Sequence, residues 1–236
     1  MKVRAALSFL TVVGRSRRPG PGTLDWFPAV GALLGLALGG LWWLVDRAWP
    51  PGVGATIVVA ADLALTGMLH LDGLVDSADG LLPPLDRRRR LEVMSAPDAG
   101  AFGTGTAVVF LLMRWAALAA LRPGIILLGA LWCLSRTVIA LVARVRPYAR
   151  GPGGLAEAFS GPMRWSVTVI GLAGAAAMAA AWRPVPGLAA VVAALAAGGS
   201  VFLLAERRLG GYTGDVLGAG AFVAETAGLV VAAARW

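Results

Sequence analysis

A chain of 236 residues that is 58% hydrophobic and 14% charged, with a mean hydropathy of +0.76, cannot cover the surface of a water-soluble domain, and the bilayer is therefore its solvent. A formal charge of +8 and a pI near 11.3 would point to nucleic acid in a soluble chain. Here the excess serves membrane orientation and anionic headgroups, and no nucleic-acid partner is expected. The single cysteine, Cys133, lies inside an apolar run, which excludes an intrachain disulfide framework.

In chain order, residues 1–13 imitate the start of a signal peptide, but Arg15, Arg17 and Arg18 stand where a small-residue cleavage site belongs. They read as an uncleaved interfacial helix. Apolar segments follow at Phe27–Val45, Val53–Leu71, Thr106–Leu121, Gly124–Ala143, Trp165–Trp182, Val185–Leu204 and Leu217–Ala234. Each is long enough, or nearly so, to cross a hydrocarbon core of about 30 Å at about 1.5 Å per residue. Trp42, Trp43, Trp49, Trp165 and Trp182 lie near segment ends, where indoles anchor at the interface. No linker or repeat divides the chain, so residues 1–236 are expected to form one all-α, polytopic membrane helix bundle of about seven transmembrane helices plus an amino-terminal interfacial helix.

With the amino terminus in the cytoplasm, only Arg47, Arg122, Arg183 and Arg235 fall outside, and Arg114 and Arg136 lie within segments; the rest of the 21 basic residues are inside. Asp72, Asp76, Asp79, Asp86, Glu92, Asp98, Glu157, Glu206 and Asp215 gather on or near that same face. The buried ionisable groups Asp62, Arg114, Arg136 and Glu225 need partners, which sequence does not assign.

The most specific stretch is His70-Leu71-Asp72-Gly73-Leu74-Val75-Asp76-Ser77-Ala78-Asp79-Gly80. If the second membrane helix continues through it, Asp72, Asp76 and Asp79 share one face at i, i+4 and i+7. Like charges so placed repel one another and call for a cation. Hard carboxylate oxygens without cysteine point to Mg2+, which binds substrate phosphates and keeps waters. The bland alternative is an acidic, solvated helix end. Further along, Glu92 and Asp98 hang over the same face and are candidates for a general base or a further metal ligand. His70, at the head of the motif, joins them as a catalytic candidate.

The run Arg87–Arg90 reads as a topology signal or an anionic-lipid contact, with a functional role as the equal alternative. Arg146 and Arg150, with Tyr148 between them and glycines behind, form a candidate pyrophosphate clamp, although arginines here also serve topology. Thr213, Gly214 and Asp215 open the last helix, where a turn brings free N–H groups to a substrate anion and Asp215 to a metal; a helix cap is the other reading.

These blocks resemble the cobalamin synthase (adenosylcobinamide-GDP ribazoletransferase) family of bacteria and archaea. The resemblance runs through Leu7–Thr11, Phe27-Pro28, Thr66 to Gly80, Leu91–Met94, Gly100 to Gly103, Pro147–Arg150 and Thr213–Asp215, and departs from the family pattern at Val12-Val13-Gly14. It implies a magnesium-dependent enzyme of the cytoplasmic (inner) membrane with a cytoplasmic active face. In such an enzyme α-ribazole or its 5′-phosphate attacks adenosylcobinamide-GDP, and GMP leaves. A homo-oligomer is compatible with all of this. The Asp76-Ser77-Ala78-Asp79-Gly80 piece also looks like the start of the CDP-alcohol phosphotransferase signature, but Pro83-Pro84 interrupts it. A transporter is the remaining alternative, and would place polar sites near mid-membrane with paired repeats.

Overall fold

The computed structural model describes residues 2–15, 19–20, 22–151, 159 and 164–236. Among them are ten α-helices and no strand: α1 Lys2–Leu10, α2 Phe27–Val45 behind a short 3₁₀ turn, α3 Pro51–Leu65, α4 Leu69–Leu81, α5 Arg87–Val93, α6 Ala101–Ala120, α7 Ile125–Val145, α8 Trp165–Trp182, α9 Pro184–Leu209 and α10 Gly214–Ala232. Six helices are individually long and apolar enough to cross a membrane; α3 and α4 pass that test only when taken together, and a sharp bend separates them. The expected all-α architecture is what the chain adopts.

Helices α7 and α10 form the centre and are buried along most of their length. Helices α6, α8 and α9 turn exposed Val109, Leu112, Val169, Ile170 and Val192 outward. That is the pattern of helices whose outer surface is solvated by hydrocarbon. Helix α2 packs closely on α7 along Gly31, Gly35 and Gly39 at one-turn spacing; a methyl group on Gly35 would lie 2.3 Å from the Leu128 carbonyl oxygen. Small residues let the two backbones approach where apolar side chains alone gain little over lipid.

Phe27–Val45 and Trp165–Trp182 coincide with the predicted spans, and the third, fourth, sixth and seventh differ by a few residues to a turn and a half at their ends. The second span is corrected. It does not run on to Leu71 and through the aspartates: α3 stops at Leu65, and α4 leaves at 86°. The stop is a Schellman-type cap in which Met68 N–H donates to the Leu63 carbonyl (2.8 Å) and Gly67 N–H to that of Ala64 (3.2 Å), with Gly67 at φ +58°. Met68 also sits at φ +59°, a conformation that costs a bulky residue about 1–3 kcal/mol and marks a corner held by its surroundings.

The four buried charges find one another. Arg114 donates to Asp62 (2.6 Å), Glu225 (3.0 Å), the Thr226 hydroxyl (3.1 Å) and the Phe222 carbonyl (3.1 Å). Arg136 pairs with Glu225, Ser135 donates to Glu225 at 2.7 Å, and the Trp132 indole donates to Asp62 at 3.1 Å. Two cations and two carboxylates thus cancel inside the bundle, tying α3, α6, α7 and α10 together.

Candidate active site

The polar ends of the helices meet at one end of the bundle. Arg87 donates to the Leu209 and Ala149 carbonyls, each at 2.8 Å, and Arg90, which is buried, to those of Gly80 (2.7 Å) and Leu81 (3.0 Å). Arg144 pairs with Asp25. These contacts gather the start of α2, the ends of α7 and α9, and α4 and α5. Half of the arginine run is therefore a staple for main-chain carbonyls, while Arg88 and Arg89 stay exposed and pair with Glu92.

Helix α4 packs across the first turns of α10 because Gly73 has no side chain; a methyl group there would lie 2.6 Å from the Asp215 carbonyl oxygen. The crossing sets the exposed Asp72 and half-buried Asp76 beside Asp215. This carboxylate-bearing face sits at the bundle end, beyond the apolar crossings. Burial pushes the Asp76 carboxyl up to about 6, the Asp72, Asp215 and Asp79 carboxylates add to it, and Arg150 partly offsets them. Asp72, Asp215 and Asp79 thus lie near enough to act on Asp76, with more negative charge than Arg150 neutralises.

Asp79 has a further task. Its carboxylate accepts from Gly100 N–H (2.7 Å) and Gly103 N–H (2.9 Å), so it caps α6 from another helix. Thr213 is buried and is the N-cap of α10; its hydroxyl accepts from Val216 N–H (3.2 Å) and donates to Asp215 (3.1 Å). Gly214 forms the first turn beside it. Arg150 donates to Asp215 at 3.0 Å and to the Leu91 and Met94 carbonyls, each at 3.3 Å. Tyr148 packs edge-on against Tyr212, with ring centroids 5.4 Å apart. Their segments pair through Ala149 N–H on the Tyr212 carbonyl (2.8 Å) and Tyr212 N–H on that of Pro147 (3.0 Å). Arg146 and Asp98 are exposed and make no ion pair among the described residues. Glu92 is held by Arg88 and Arg89 and is not among the charges acting on Asp76. His70 is buried at the start of α4, and its Nδ1 has no hydrogen-bond partner among the described residues.

Among the described residues, no three acidic, histidine or cysteine side chains enclose a metal by themselves. The donor chemistry nevertheless fits a hard divalent cation. Asp72 and Asp76 are hard oxygen donors beside Asp215, they carry surplus negative charge, and their open arrangement suits an ion that keeps waters and takes phosphate oxygens.

Residues 2–233 match the family model described as cobalamin-5-phosphate synthase. The chain belongs to this family. Relatives of this cobalamin-5-phosphate synthase family member include the adenosylcobinamide-GDP ribazoletransferase of Chlorobaculum tepidum, 36% identical over 96% of this chain and 91% of that protein. The enzyme of the same name from Bradyrhizobium diazoefficiens is 34% identical over 98% and 93%. That of Thermosynechococcus vestitus is 45% identical over 56% and 51%. No solved structure matches. With membership in the cobalamin-5-phosphate synthase family, the CDP-alcohol phosphotransferase and transporter alternatives fall away.

Proposed function

We propose that the chain joins adenosylcobinamide-GDP to α-ribazole, or to α-ribazole 5′-phosphate, giving adenosylcobalamin or its 5′-phosphate and GMP. The meeting of Asp72, Asp76 and Asp215 with Arg150 at one end of the bundle carries this reading. The ribazole 3′-hydroxyl forms a new P–O bond to the phosphorus that bears cobinamide, and the bond from that phosphorus to the bridging oxygen of the pyrophosphate breaks, releasing GMP. Such a transfer needs positioning and charge neutralisation more than covalent help from the protein.

Asp72, Asp76 and Asp215 are the residues we assign to hold Mg2+, which when bound supplies charge neutralisation at the phosphate oxygens. Arg150 is poised to exchange part of its hold on Asp215 for a phosphate oxygen. Asp79 keeps α6 and the Gly100 turn in register with α4. We assign the carboxylates of the cluster as acceptors for the proton of the attacking hydroxyl.

The distribution of arginines supports a multi-pass arrangement in the cytoplasmic membrane with this end facing the cytoplasm. A cysteine label at Arg89 is expected to react from the cytoplasmic side and one at Arg183 from outside; the reverse would remove the proposed orientation. The region around Gly153, a second label site suggested by the sequence, lies outside the described residues. For the reaction itself, the purified chain in liposomes is given adenosylcobinamide-GDP, α-ribazole and Mg2+. Cobalamin and GMP are expected in equal amounts, and no GMP with both substrates present would overturn the assignment.

A further inference from the structure

Beside the carboxylates lies a cavity of about 110 Å3 whose lining brings together α1, α2, α4, α7 and α10. Three phenyl rings form one wall. Phe9 stacks on Phe27 with centroids 5.8 Å apart, and Phe159 meets both edge-on, at 5.3 Å and 5.9 Å. Ile139 adds an aliphatic surface, and the remaining lining includes His70, with Asp72 and Asp215 shared with the acidic cluster. His70 is 4% exposed. It makes no hydrogen bond among the described residues, and its buried Nδ1 is left without a partner.

Three properties of this cavity select among ligands. At about 110 Å3 it is too small for a lipid chain, and, being below the roughly 150 Å3 of a closed cavity that takes up benzene, it seats the inner part of a flat ligand whose remainder leaves through its open side. Its wall is aromatic, which favours a flat π-system through stacking and edge contacts. Apart from the Asp72 and Asp215 carboxylates, its polar part is an imidazole whose Nδ1 has no partner among the described residues, a cost that hydrocarbon leaves in place and a ring nitrogen removes. We propose that the cavity is the subsite for the flat aromatic base of the attacking nucleoside, seated against Phe9, Phe27 and Phe159 and facing His70.

This rests on the reaction proposed above and adds to it a place for the acceptor. A nucleoside with its base in the cavity carries its ribose out past Asp72 and Asp215, so that its hydroxyls arrive at the carboxylates. Apolar contacts then choose the base, while the cluster deals with phosphate. His70 becomes a residue that positions and selects the base, which accounts for its place in the acidic motif without a part in the proton transfer.

The test uses the full chain in liposomes and measures KM for α-ribazole and for adenosylcobinamide-GDP separately. Ile139→Phe, which fills the cavity, and Phe159→Ala, which opens it, are each expected to raise KM for α-ribazole by about tenfold or more, in line with the usual worth of a base–aromatic contact. KM for adenosylcobinamide-GDP should stay as it is. Free benzimidazole should compete with α-ribazole, and equilibrium dialysis should find it bound to the unaltered chain and lost from Ile139→Phe. Phe9→Leu, which keeps the site apolar but removes a ring, gives the same reading if Ile139→Phe fails to insert. An unchanged KM for α-ribazole, a parallel rise in both KM values, or no benzimidazole binding would overturn the subsite. Absence of GMP release by the unaltered chain would instead overturn the reaction, with benzimidazole dialysis still deciding the cavity.

Discussion

Arg150 holds Asp215: its Nη2 lies 3.0 Å from the Asp215 carboxylate, while the same guanidinium donates to the Leu91 and Met94 carbonyls. One side chain thus joins the start of α10 to the loop after α5 and offsets part of the acidic cluster. Arg150→Ala is expected to lower kcat/KM by roughly 10- to 100-fold, the size of a lost charge-assisted hydrogen bond. Arg150→Lys should retain more activity, since it keeps the charge and loses only the planar fork. Steady-state kinetics on correctly inserted protein check this, and unaltered kinetics in Arg150→Ala would reduce the residue to a structural tie.

Asp76 and Asp79 offer a test that separates the proposed cation site from folding. Asp76 makes no hydrogen bond among the described residues, whereas Asp79 caps α6 through two N–H groups. Asp76→Asn is therefore expected to lower GMP release by orders of magnitude without loss of stability, because it removes a charge assigned above to holding Mg2+. Asp79→Asn keeps one acceptor and should lose activity together with about 1–2 kcal/mol of stability. Asp86→Asn is the control: Asp86 is the N-cap of α5, accepting from Arg89 N–H at 3.0 Å, and Asn caps equally well. Thermal unfolding beside GMP assays tells the three apart.

The raised carboxyl of Asp76, at about 6, gives a pH dependence of definite sign. Below that value it carries a proton, so the apparent affinity for a divalent cation should fall about tenfold per pH unit, measurable by titration with Mg2+. Stability of the cation-free chain runs the other way. Between the ordinary carboxyl value of 3.8 and about 6, the folded state keeps a proton that the unfolded chain has released, so stability declines as pH rises through that window. Thermal unfolding without cation should therefore come at a higher temperature near the bottom of the window than above it, and Asp76→Asn should remove the difference.

Inside the bundle, Glu225 accepts from Arg114, Arg136 and Ser135 at once. Glu225→Gln leaves two guanidinium groups facing Asp62 alone, and a broken buried pair of this kind costs about 3–5 kcal/mol. Loss of folded protein in detergent is expected, with no specific effect on either substrate's KM in the fraction that survives. A selective rise in one KM would place the network in substrate binding instead.

Much of this was legible along the chain. The spans Phe27–Val45 and Trp165–Trp182 follow from apolar length against bilayer thickness, and the arginines supply the basis for the proposed orientation. The acidic motif could be read as metal-binding because the i, i+4, i+7 spacing of Asp72, Asp76 and Asp79 is a local property of any helix. The corner at Gly67 was also accessible in principle, since glycine directly after an apolar run is a stop signal. It was masked by the apolar residues on both sides, which keep hydropathy high through the turn.

Only the tertiary structure decided which groups are partners. That Asp79 caps α6, that Arg87 and Arg90 serve main-chain carbonyls while Arg88 and Arg89 do not, and that Arg114 takes both Asp62 and Glu225 all depend on contacts between residues 9 to 122 positions apart. Hydropathy and helical period report how each segment meets its solvent, one segment at a time. A hydrogen bond or ion pair depends on two segments arriving at a few ångströms with the right rotation, and that is fixed by close approaches such as Gly35 on Leu128 and Gly73 on Asp215, which the sequence shows merely as glycines.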